Sequence, residues 1–112
     1  MYSTELNELS SIINDNAIEK GFWEDYLIAE LNNSAKAIDN SLATKMALIS
    51  CEVAEGIEAL RVGDYENFKE ELADIIIRTL DIAGFLDVDI ASEIAYKIDF
   101  NSKRPRLHGK RF

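Results

Sequence analysis

Proline occurs once in this 112-residue chain and glycine five times, which excludes a collagenous or low-complexity protein and lets long helices run without breaks. Cysteine also occurs once. Cys51 has no partner for an internal disulfide and no companion thiol for a zinc site, so small core filler in a reducing compartment is its expected role. No apolar run approaches the eighteen or so residues needed to span a bilayer, and Met1 to Glu5 lacks the basic and apolar start of a secretory signal. A cytoplasmic protein without a membrane partner is therefore expected. Positive charge is scarce: 12 Lys and Arg stand against 21 Asp and Glu, a net of −9, which argues against non-specific binding to a nucleic-acid polymer. What the chain has is apolar content, 47% of its residues, enough for one domain over residues 1–112.

The charge is unevenly spread. Residues 97–112 hold six basic side chains and one acidic, a net of +5, while the other 96 residues hold 6 basic and 20 acidic, a net of −14. Apolar residues recur at three and four spacings through most of the chain, which predicts an all-α antiparallel bundle of about four main helices. The first spans about Thr4 to Lys20, with Gly21 as its stop. A short helical piece covers Phe22 to Leu31, followed by a polar loop to Ser41. The second long helix ends at Val62, before Gly63. The third starts after Asp64 and stops at Gly84, and the fourth runs from about Asp89 to Asn101. Residues 102–112 read as an extended basic tail.

Helical spacing sets Glu52 and Glu55 one turn apart, on the flank of an apolar stripe formed by Leu42, Met46, Ile49, Val53, Ile57 and Leu60. Glu71 and Asp74 repeat that phase beside Phe68, Leu72, Ile75, Ile76, Thr79 and Ile82. If the two helices pack antiparallel through the Gly63-Asp64 turn, four carboxylates converge at the edge of the core. Such a group repels itself unless a cation neutralises it, and oxygen-only ligands select Mg²⁺ first and Mn²⁺ next. Di-iron chemistry is disfavoured because the single histidine, His108, lies in the tail. Lys45 and Arg78 fall on the same side of their helices as the acids. Lys97 and Asn101 are i, i+4 neighbours with Arg104 just beyond. Carboxylate-held metal ringed by cations is how proteins grip a polyphosphate.

The run from Lys45 to Arg61, with Glu52-Val53-Ala54-Glu55 at its centre, and the later Glu70-Glu71-Leu72-Ala73-Asp74-Ile75 resemble the MazG-like branch of the all-α nucleoside triphosphate pyrophosphohydrolases. Lys20-Gly21-Phe22-Trp23 and the tail, from Lys97 through Pro105 to His108-Gly109-Lys110-Arg111-Phe112, resemble its small bacterial and phage members. The resemblance implies Mg²⁺-dependent hydrolysis of a nucleoside triphosphate to the monophosphate and pyrophosphate. It implies Glu52, Glu55, Glu71 and Asp74 as catalytic metal ligands, and Lys97, Asn101 and Arg104 as contacts to phosphate or sugar. Trp23 becomes the aromatic that stacks on the base. In the implied mechanism, water activated by the metal and oriented by a carboxylate such as Glu55 attacks the α-phosphorus. One departure is that Cys51 stands where many relatives carry a first Glu. Apolar residues on more than one stripe of the third helix, Ile76, Ile77 and Leu80, add to the expectation of a homodimer or dimer of dimers. Two other functions fit the same pattern: a non-catalytic helical interaction module and a nucleotide-sensing regulator without turnover.

Overall fold

A computed structural model describes residues 2–112, with side chains from Glu5 onward. It is all-α, with five α-helices: α1 Tyr2–Glu19, α2 Glu24–Leu31, α3 Ala35–Arg61, α4 Tyr65–Phe85 and α5 Ile90–Ser102. The short piece expected at residues 22–31 is a helix of its own, α2, which makes the count five.

Three boundaries differ from the expectation, each for a local reason. The polar stretch to Ser41 is not a loop: α3 begins at Ala35, because the Ser34 hydroxyl accepts a hydrogen bond from the Ala37 N–H at 3.1 Å and caps the helix there. Gly84 does not stop α4, which continues to Phe85. A Cβ at Gly84 would lie 2.7 Å from the Ser10 carbonyl oxygen, so this glycine allows α1 to cross α4 in close contact. The tail is not extended throughout either. After Pro105, residues 106–109 form a tight turn with Leu107 and His108 at φ 54° and 52°.

Helices α3 and α4 form an antiparallel hairpin, in which Glu52 meets Arg78 while Gly56 faces Glu71 and Phe68. The turn between them is short because Gly63 takes φ 74° and the Asp64 carboxylate accepts the Asn67 N–H at 3.0 Å, capping α4. Helix α1 packs on α4, α2 on α3, and α5 on α1. Asn7 ties α5 down at its start: its amide donates to Asp89 at 2.9 Å and accepts the Ala91 N–H at 3.3 Å.

The apolar stripe expected to face the core lies largely at the surface, with Leu42, Ile49, Phe68, Ile75 and Ile82 only half-buried. Met46, Val53, Ile57, Leu60, Leu72 and Ile76 are all exposed, whereas the buried residues of α3 are Glu52, Gly56 and Ala59. Small residues at 56 and 59 let α4 come close along this side, and a Cβ on Gly56 would touch the Glu71 Cβ at 3.5 Å. The exposed surface is large. The chain exposes 8507 Å², against about 6,200 Å² for a folded monomer of 12.6 kDa. Its radius of gyration is 16.6 Å, where a compact chain of this length has about 13 Å. Among the described residues no helix is long and apolar enough to cross a membrane.

Candidate metal and nucleotide site

The hairpin brings Glu52 and Glu55 of α3 against Glu71 of α4, with one carboxylate oxygen of each within 4.8 Å of the others. Glu52 and Glu71 are buried in the helix seam and Glu55 is exposed at its edge. Asp74, expected as a fourth member, stands outside this group. It lies one turn further along α4, half-buried on the wall of an adjoining cavity.

A single cation compensates the cluster. Arg78 Nε donates to Glu52 Oε1 at 2.9 Å, so the residue expected to face phosphate is engaged with a carboxylate. Glu52 Oε2 and Glu71 Oε2 are both buried without a hydrogen-bond partner. Buried carboxylate oxygens left unpaired are costly, and their presence calls for a ligand or a proton. In the protein alone the contact between the two carboxyls favours a proton on Glu71. Its hydrogen-bonded contact with Glu52, then burial, then the charges of Glu55 and Glu52 push its pKa up to about 7. Glu52 shifts the opposite way, stabilised as the anion by its contacts with Glu71 and then with Arg78, against burial. A divalent cation with all-oxygen preference fits this donor set, because it replaces that proton and satisfies both orphaned oxygens.

The cavity beside the cluster measures about 630 Å³ and lies among α1, α3 and α4. Glu52, Asp74 and Arg78 belong to its lining, as do Lys45, Asp81 and Phe22. The Lys45 ammonium donates to the Phe22 carbonyl at 2.7 Å and rests 4.3 Å from the Trp23 ring centre. Burial lowers its pKa, with Asp81 and Asp25 opposing the shift.

Trp23 cannot stack on a base in this conformation. It is 0% exposed, with one face on Phe85 at 3.7 Å between ring centres and the other under Lys45. Its Nε1–H donates to both oxygens of Asp81, at 3.0 and 3.1 Å. The expectation gave this indole to a base, and here packing with Tyr26 and Phe85 makes it core. Lys97, Asn101 and Arg104 are not brought to the glutamates within the chain either. They ride on α5 and just beyond it, and α5 packs on α1. Lys97 and Arg104 lie instead over the Phe100 ring, at 4.8 and 5.6 Å. Asp81 is the residue the sequence reading missed; its spacing from Arg78, one turn along α4, was the available signal.

Compared with known proteins, the chain matches no family model, no curated protein and no solved structure.

Proposed function

We propose that the protein is a Mg²⁺-dependent nucleoside triphosphate pyrophosphohydrolase, releasing pyrophosphate and a nucleoside monophosphate. The observation that carries this reading is the pair of buried, unpartnered oxygens on Glu52 and Glu71, beside a cavity large enough for a nucleoside. Oxygen donors favour Mg²⁺, with Mn²⁺ as a substitute. When bound, the ion neutralises phosphate oxygens and acidifies water.

The chain's own residues divide the remaining work. Glu52, Glu55 and Glu71 hold the ion. Asp74, on the cavity wall, extends the carboxylate set toward the substrate. Glu55, the exposed member, accepts the proton of the water that attacks the α-phosphorus. Arg78 fixes Glu52 as an anion. Lys97, Asn101 and Arg104 grip the triphosphate from a second copy in a homodimer or dimer of dimers, formed through the exposed stripe of α3 and α4.

The exposed stripe also suits a non-catalytic interaction module, and nucleotide binding without turnover would make the protein a regulator. Incubation with a panel of (d)NTPs in Mg²⁺ separates the hydrolase from both, and saturable nucleotide binding without product marks the regulator. The hydrolase yields equimolar pyrophosphate and monophosphate, suppressed by EDTA. An absence of pyrophosphate across the panel overturns the reading.

A further inference from the structure

We infer that the cavity beside the glutamates holds the nucleobase, and that Asp81 makes it select bases carrying an amino group over those presenting a carbonyl oxygen at the same edge. The inference rests on the nucleotide reading above and names its substrate class.

The cavity's volume, about 630 Å³, lies within the roughly 300–1,000 Å³ usual for small-molecule sites. Its walls are apolar, with Ile12 and Ala17 from α1, Leu48 from α3 and Ile77 and Ile82 from α4. Phe22, a residue 59% exposed, also lines it and offers the stacking aromatic that buried Trp23 does not. Polar groups follow one another along α4 at successive turns: Asp74, Arg78 and Asp81. Asp74 and Asp81 are thus about 10 Å apart along the helix axis. That separation is of the order of the distance between the α-phosphate of a nucleotide and the far edge of its base.

Asp81 is held rigidly. Trp23 Nε1–H donates to Oδ1 and Oδ2, and Asn14 Nδ2 donates to Oδ1 at 2.9 Å. Both donors come from buried residues. Oδ1 thus receives two donors, whereas Oδ2 receives only a share of one and keeps acceptor capacity for a ligand. A carboxylate accepts from an exocyclic amino group and repels a carbonyl oxygen. The neighbouring cation does not reverse this preference, because Lys45 is engaged by the Phe22 carbonyl and the Trp23 ring.

In two matched pairs of nucleotides, dCTP against dUTP and ATP against ITP, the first member carries the amino group beside an unprotonated ring nitrogen and the second a carbonyl oxygen beside a ring N–H. Binding of their non-hydrolysable α,β-imido analogues is measured by calorimetry in Mg²⁺, and pyrophosphate release from the natural nucleotides is measured in parallel. In at least one pair the amino member is favoured about tenfold or more, and Asp81→Asn, which keeps an oxygen for Trp23 and Asn14, brings the ratio within about threefold. Wild-type ratios within about threefold in both pairs, or a preference for the oxo member, overturn the inference whether or not the variant folds. A folded variant with an unchanged ratio overturns the role of Asp81. Selective binding without pyrophosphate release sinks the hydrolase reading and leaves the base selectivity standing. Pyrophosphate release without selectivity does the reverse, and the absence of both analogue binding and pyrophosphate release overturns both.

Discussion

At Glu71, the hydrogen-bonded contact with Glu52, then burial, then the neighbouring carboxylate charges favour the protonated acid, and its pKa rises from the ordinary 4.5 to about 7 in the fold. A raised acid contributes stability that is complete below pH 4.5 and lost as pH climbs through about 7. In EDTA the melting temperature of the wild type is therefore expected to fall across that interval. Glu71→Gln, which keeps the shape without the charge, should flatten that part of the curve, and a thermal melt series over pH checks both. Mg²⁺ should lift the wild-type melting temperature most at the upper end of the interval, where Glu71 is deprotonated and free to bind it. Trp23 makes a different point about single residues. Its indole works at one remove, orienting Asp81 rather than facing solvent.

At the scale of elements, the crossing of α1 over α4 depends on Gly84. Gly84→Ala would drive a methyl group into the Ser10 backbone and against Asn14, at 2.7 and 3.0 Å, so the two helices must separate. A loss of about 1–3 kcal/mol is expected, read by urea unfolding with helical content retained. The helices themselves were legible in the sequence: apolar spacing and the cap at Asp64 locate α3 and α4 and put Glu52, Glu55, Glu71 and Asp74 in one phase, of which the fold brings the first three together. Two features were not legible. Asn32, Asn33 and Ser34 look like the start of a long loop until Ser34 is seen to cap α3, and the following residues are ordinary helix formers. More consequentially, periodicity identifies an apolar stripe without saying what covers it. In the hairpin the small residues Gly56 and Ala59 face the closest neighbour and carry Glu52 inward, leaving Val53, Ile57 and Leu60 outside.

The whole molecule has about 2,300 Å² more surface than a compact monomer of its mass, within the range that obligate interfaces bury. Light scattering at micromolar concentration should find a homo-oligomer. Ile57→Asp or Ile76→Asp, on the exposed stripe, should dissociate it and reduce activity together, because α5 does not bring its cations to the glutamates of its own chain. A monomer with full activity would remove the second copy from the site. The molecule's charge division, −14 over the helical body and +5 from residue 97 onward, fits that assembly, with the basic end of one copy meeting the acidic face of another. All of this turns on the glutamate seam being a cation site, and titration of Mn²⁺ followed by its paramagnetic resonance signal, without nucleotide, tests that most directly. Saturable binding by the wild type that weakens about tenfold or more in Glu52→Gln and in Glu71→Gln is the predicted result, with competition by Mg²⁺. Wild-type Mn²⁺ affinity in both folded variants would contradict it.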